Sequence, residues 1–264
     1  MKKYRVLVGI ILVLSVVIIG TSNPAKNFYK ATNLINKGLK VDDKKEDDEN
    51  KKSAEKDIII CIDPGHQEKG DSNPEAVAPG SYVKKARVSS GATGIATKKP
   101  EYILNLEAST VLKHILEGKG YKVIMTRESH DVNISNSERA ILANDNNADM
   151  VVRIHADSLN DPGKTGASIL IPAKESKYTT AIYEDSKNCA NIVKDKMKEA
   201  GIQVNGIFER GDLTGFNWSK VPVVLVEMGF LSNYNEDQMM SNPEYQRKLM
   251  QAISDGLEEY FINK

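Results

Sequence analysis

The stretch Asp57-Ile-Ile-Ile-Cys-Ile-Asp-Pro-Gly-His66 constrains this chain more than any other. An unbroken apolar run from Ile58 to Ile62 suits a strand buried on both faces, as inside a parallel sheet. Asp63-Pro64-Gly65 then stops it, because proline removes a ladder donor and glycine admits a sharp turn. His66 is thereby held just past the carboxyl end of a rigid strand, the edge at which open α/β sheets bind ligands. Alone it would read as a capped loop residue. Its company changes that.

The same design recurs along the chain. Met150-Val-Val-Arg-Ile-His155 is a second apolar strand ending in a histidine, and Val221 to Glu227 is one that ends in a carboxylate. Tyr121 to Thr126 and Gly166 to Ile171 read as further strands. Between them, Leu104, Ala108, Val111, Leu112 and Ile115 recur at helical spacing until Gly118 and Gly120. Pro100 suits the first turn of that helix and puts Glu101 at its amino terminus. Ser135-x-x-Glu138 is a capping box that opens a helix reaching Asn146. Ile182, Ala190, Val193, Met197 and Ala200 mark a helix closed by Gly201. Asn242-Pro243 caps a last one, whose apolar face is Tyr245, Leu249, Ala252, Ile253 and Tyr260. The stretch from Gln67 to Lys99 has no periodicity and reads as a long loop, which in a compact domain is usually functional. Strands alternating with amphipathic helices predict one α/β domain: a mostly parallel twisted sheet of about six strands flanked by helices.

The amino-terminal part is different. A basic end, Met1-Lys-Lys-Tyr-Arg, precedes a charge-free apolar run from Val6 to Gly20, the pattern of an export signal. That run is shorter than a full span of about 20 residues and is followed by no clear small-residue cleavage motif. Residues 1–21 are therefore compatible with a signal peptide or with an amino-terminal membrane anchor. Between Lys40 and Asp57, 14 of 18 residues are charged, with both signs mixed, so residues 22–56 read as a flexible solvated linker before a folded domain over 57–264. The folded part is expected to act outside the cytoplasmic membrane, touching it only through the amino-terminal segment. The 36 basic and 36 acidic side chains cancel, which argues against a nucleic-acid partner. Cys61 falls inside a strand and Cys189 inside a helix, as buried thiols do, and without a C-x-x-C pair a thiolate metal site is excluded.

His66, His155 and Glu227 each close an apolar strand, and Glu101 opens the helix after the long loop. In a mostly parallel sheet such ends share one rim. Two imidazoles and a carboxylate can hold zinc and leave a fourth position open. No local spacing rule applies over such separations, and a carboxylate in a first helical turn is favoured by the macrodipole with or without a metal. At this level the zinc site and the plain structural reading both stand.

The chain resembles the zinc-dependent N-acetylmuramoyl-L-alanine amidases of the amidase-3 type, bacterial cell-wall hydrolases. The resemblance lies in Ile62-Asp-Pro-Gly-His66, Glu101-Tyr-Ile-Leu-Asn-Leu106, Met125-Thr-Arg127, Glu138-Arg139 with Ala143-Asn144, Ile154-His-Ala156 and Val224-Leu-Val-Glu-Met-Gly-Phe-Leu-Ser-Asn233. These pieces fall in family order and run from Asp57 to the end. The resemblance implies one zinc ion held by His66, Glu101 and His155, with Glu227 as the catalytic glutamate. It also implies peptidoglycan as substrate, cut between muramic acid and L-alanine during wall turnover, cell separation or spore cortex remodelling. The chain departs from the pattern at Gln67-Glu68, where the family often has two glycines, and at Arg153 and Asp157, where it usually has serine and asparagine.

Three further residues are candidates for supporting roles. Asp63 is expected either to orient the His66 ring through its second nitrogen or to cap the turn. Strand alternation puts Arg153 on the side of His155, where a carboxylate such as Glu227 could pair with it; a structural salt bridge is the alternative. Arg139 is expected to fix the Ser135 helix against the sheet. Lys84, Lys85 and Arg87 read as solvated loop charges that could also meet peptide carboxylates. Two competing functions remain: a wall-binding protein without catalysis, and a zinc carboxypeptidase on a similar sheet.

Overall fold

The structure is a computed structural model, and it describes residues 55–264. The segment expected to direct export or anchoring, and the linker up to residue 54, lie outside the described residues. The predicted strands form, with ends shifted by up to three residues: β1 (Ile59–Pro64), β4 (Lys122–Met125), β5 (Met150–Asp157), β6 (Ala167–Pro172) and β8 (Val223–Phe230). So do the long helices: α1 (Glu101–Gly118), α2 (Asn136–Asp145), α3 (Tyr183–Glu199) and α6 (Pro243–Ile262). The capping box at α2 is complete, with the Ser135 side chain on the Glu138 amide and the Glu138 side chain on the Ser135 amide. Asn242 caps α6 in the same spirit, accepting from Glu244 and Tyr245.

The sheet runs β4-β1-β5-β8-β6-β7, where β7 is Val204–Arg210. Its four strands from β4 to β8 are mutually parallel, and β6 joins β8 antiparallel with β7 parallel beyond it. The first four carboxyl ends therefore share one rim, as expected for a mostly parallel sheet. One face is covered by α1, α3 and α6, whose Leu104, Leu112, Val193, Met197, Leu249 and Ile253 pack on Ile60, Ile62, Val152, Ile154, Val224 and Val226. The opposite face carries a smaller cluster, Cys61, Val151, Val223 and Leu225, under Ala143 and under Phe216 of the short helix α4 (Thr214–Asn217). Both cysteines are buried and free. Among the described residues no helix is long and apolar enough to cross a membrane.

Five elements differ from expectation. The presumed loop after β1 contains an antiparallel hairpin, β2 (Asp71–Ala76) and β3 (Lys84–Val88). Its strands are mostly exposed and polar, so they lack the apolar alternation that betrays a half-buried strand. What fastens it is polar: Arg87 to Asp71 and Glu138, Glu75 to Ser137, and the Trp218 ring nitrogen donating to the Ala76 carbonyl. The edge strand β7 escapes a pattern reading because Gly206 and polar residues dilute its apolar pair, Ile207 and Phe208. The one-turn α4 and the two-turn α5 (Tyr234–Met240) are too short to show a period.

Candidate metal centre

The turn after β1 does more than end a strand. The Gly65 amide still donates to the Ile154 carbonyl at 2.9 Å, and His66 then takes a left-handed φ of 63°. That conformation is uncommon for a residue with a side chain, and it swings the ring back over the strand ends. Gly65 allows the approach, since a Cβ there would lie within 2.5 Å of three ring atoms of His155. Gly91, at φ 81°, does the same on the other side, where a Cβ would fall 2.6 Å from Glu101 Oε2 and 2.9 Å from the His66 ring.

His66, Glu101 and His155 consequently converge, each offering one donor atom within 4.8 Å of the others. Glu101 Oε1 lies 3.1 Å from His66 Nε2 and 3.4 Å from His155 Nδ1. The two rings meet edge to face with centroids 4.8 Å apart. His66 and Glu101 are held from behind. The His66 Nδ1 faces the carbonyl and hydroxyl of Ser89 at 3.0 and 2.9 Å, which leaves Nε2 for the centre. Glu101 accepts from the Ala92 amide through Oε2, and from Asn105 and the Ala156 amide through Oε1. Burial opposes charge on Glu101, but its bonds from His155 and His66 prevail and hold the carboxyl well below its usual range. Burial likewise keeps His155 neutral, lowering it to about 4 against the raising effect of Glu101.

These residues fit a zinc ion. Donor atoms about 2.0–2.1 Å from a tetrahedral zinc stand roughly 3.3 Å from one another, close to the separations seen around Glu101 Oε1. Glu227 Oε2, on the cleft that His66 and His155 also line, is buried without a hydrogen-bond partner. An atom of that kind is open to a group bound at the site. Two nitrogens and one oxygen suit zinc better than a hard cation.

Glu227 stands opposite His155 in the β5–β8 register and opposite Ser168 in β6. Burial, and after it the charges of Glu101 and Asp157, pushes its carboxyl well above the usual range; Arg153 and Arg210 pull the other way.

The supporting residues sort themselves differently from expectation. Asp63 does not reach the His66 ring; Ser89, from the long segment after β1, takes that place. Asp63 instead accepts from Thr126 and Arg139 through Oδ1 and from Arg153 through Oδ2, the last two at 2.7 Å. The reason is alternation: Asp63 and Arg153 are paired in register and point to one face, while the turn carries His66 away. Burial disfavours the Asp63 charge, yet Arg139 and Arg153 hold its carboxyl well below the ordinary range. Arg153 thus pairs with Asp63 and not with Glu227, although it lines the same cleft. Arg139 ties α2 to the sheet as expected, through Asp63 and the carbonyls of Pro64 and His66. Arg127, which the sequence offered only as part of a motif, donates to the Pro64, Gly65 and Tyr102 carbonyls and stiffens the same turn. Gln67 is fully buried and braces the turn against the Ile134 amide, so this departure from the family pattern faces inward. Of the hairpin cations, Arg87 is engaged by Asp71 and Glu138, and Lys85 reaches Asp212 across the cleft.

Comparison with known proteins gives a consistent answer. The sequence model of a family described as N-acetylmuramoyl-L-alanine amidase matches residues 60–259. The amidase AmiC of Neisseria meningitidis is 24% identical over 238 residues, which is 76% of this chain and 52% of AmiC. The chain thus spans about half the length of that relative. The amidase Rv3717 of Mycobacterium tuberculosis is 25% identical over 207 residues, 76% of this chain and 85% of its own length. Among solved structures, the Ami1 amidase of Mycobacterium smegmatis superposes with a TM-score of 0.72 at 24% identity, over 80% of this chain and all of that one.

Proposed function

Because the chain belongs to the N-acetylmuramoyl-L-alanine amidase family, we propose that it hydrolyses the amide between the lactyl group of muramic acid and L-alanine in peptidoglycan, with one zinc ion. The observation that carries this reading is the meeting of His66, Glu101 and His155 with a desolvated Glu227 beside them.

An amide resists water because its carbonyl is a weak electrophile and its amine a poor leaving group. Zinc held by His66, Glu101 and His155 would supply polarisation of that carbonyl and acidify water at the site. Glu227 deals with the proton. Its carboxylate takes one from the attacking water and returns it to the departing alanine nitrogen. A carboxyl raised by burial suits the second half of that task, since it holds the captured proton until the nitrogen departs. Ser89 and Asn105 keep His66 and Glu101 oriented, and the Asp63–Arg139–Arg153 cluster holds the strand ends beneath them.

In this reading residues 57–264 are the catalytic domain, 22–56 space it from the membrane, and 1–21 direct export or anchor it. The enzyme works outside the cytoplasm, at the wall. Digesting purified peptidoglycan and identifying the new end tests the proposal. An amidase exposes L-alanine amino groups, a carboxypeptidase frees a carboxyl-terminal residue, and a binding protein leaves the polymer intact. Removal of metal by a chelator should abolish release, and added zinc should restore it.

A further inference from the structure

Two clefts meet at Glu227. The first, about 240 Å³, has Arg153 and His155 in its floor, Lys85 of the hairpin on one wall, and Arg210 and Asp212 on the other. The second, about 620 Å³, runs over the outer strands and is lined by Leu159, Phe208 and Phe230 together with Asp157 and Lys164. Arg210, at the end of β7, borders both.

Their chemistry differs. Around the first cleft two carboxylates each serve two cations. Asp63 holds Arg139 and Arg153, and Asp212 holds Arg210 through two bonds of 2.7 and 2.9 Å while also taking Lys85 at 3.0 Å. The cleft itself is lined by Lys85, Arg153 and Arg210 against Asp212 and Glu227, which leaves one positive charge in surplus. The outer pair can be reached, with side chains 46% exposed for Lys85 and 41% for Arg210. In the second cleft Lys164 and Arg210 face Asp157 and Glu227, so the signs balance, and Leu159 and Phe208 present apolar surface about half exposed, at 46% and 48%.

The amide to be cut divides a molecule with the same asymmetry. On its carbonyl side lies a neutral acetamido sugar. On its nitrogen side lies a peptide whose second residue, a γ-linked D-glutamate, bears an α-carboxylate that is either free or amidated. Guanidinium and ammonium groups recognise a free carboxylate with charge-assisted bonds, and a neutral sugar covers apolar surface at less desolvation cost than a charged peptide would. We propose that the substrate lies across Glu227 with its peptide in the first cleft and its sugar in the second, so that Lys85 and Arg210 select stems with a free carboxylate on the second residue. This rests on the amidase reading above and goes beyond it by naming the specificity determinants.

The test compares the zinc-loaded protein on two peptidoglycan preparations that differ only in that second residue, D-isoglutamate or D-isoglutamine. The rate at which L-alanine amino ends appear is followed over a range of substrate concentration. The wild-type protein should prefer the acidic form by about tenfold in kcat/KM, mostly through KM. Arg210→Gln and Lys85→Gln, both at exposed positions, should each narrow the preference. Asp212→Asn should widen it by releasing two cations from their shared counter-ion. Phe208→Ala should slow both forms alike. Equal rates on the two forms, unchanged in the cation variants, would overturn the cleft assignment and leave the amidase standing. No release from either form would overturn both.

Discussion

The two faces of the sheet are made by the same strands and differ in what they tolerate. Under α1, α3 and α6, β5 contributes Met150, Val152, Ile154 and Ala156, and β8 contributes Val224, Val226 and Met228, all buried and apolar. On the other face the same strands begin apolar, with Cys61, Val151 and Val223, and then become ionisable at Asp63, Arg153, His155 and Glu227. One face is a packing surface that needs no partner for any single atom. The other buries charge, and each group there is stabilised by a named counterpart or left exposed to the reaction. Rigidity on the first face positions chemistry on the second.

If that division is right, substitutions on the two faces should fail in different ways. Glu227→Gln should lower kcat/KM by about a thousandfold or more while leaving zinc content unchanged. Its melting temperature should not fall, because the change removes a buried group whose charged form is disfavoured. Loss of fold with loss of activity would erase the distinction. Arg139→Met should cost about 3–5 kcal/mol in a urea titration, since it takes a cation from buried Asp63 and a donor from the Pro64 and His66 carbonyls. Leu112→Ala, in α1 on the apolar face, should cost about 3 kcal/mol by opening a cavity. It should retain its zinc and its hydrolysis at temperatures where it is folded. Failure of Leu112→Ala to keep zinc would mean that the two faces are not separable.

The smallest effect depends on pH. The folded-state carboxyl of Asp63 is depressed by its arginines, so its contribution to stability is full above the unfolded value near 4. It is lost as pH falls further, where the unfolded chain binds a proton that the folded one refuses. Urea midpoints of the wild type and Asp63→Asn should therefore differ most near neutrality and draw together below about pH 4. A gap that persisted in acid would assign the role of Asp63 to packing alone.

Much of the apolar face was legible in the chain. A run such as Ile58 to Ile62, or the helical recurrence of Leu104, Ala108, Leu112 and Ile115, is a local signal, and a period survives whatever it later packs against. The hairpin was not legible, because exposed strands fastened by salt bridges carry no such period. The centre lies between these cases. Strand-end placement brought His66, His155 and Glu227 into one list, and Glu101 came with them as a helix start. Their convergence within coordinating distance is a property of the register between β1, β5 and β8 and of two glycines that let rings approach.

What the sequence determined by itself was the alternation of strands and helices, the rim on which polar residues gather, and the order of pieces that marks the family. Those follow from periodicity and from short motifs, which act over a few residues. Only the tertiary structure decided that Ser89 and not Asp63 steadies His66, that Arg153 turns to Asp63, and that Arg210, from an edge strand without a clear pattern, stands between two clefts. Which charges pair across distant parts of a chain depends on distance and burial after folding, and no local period records either.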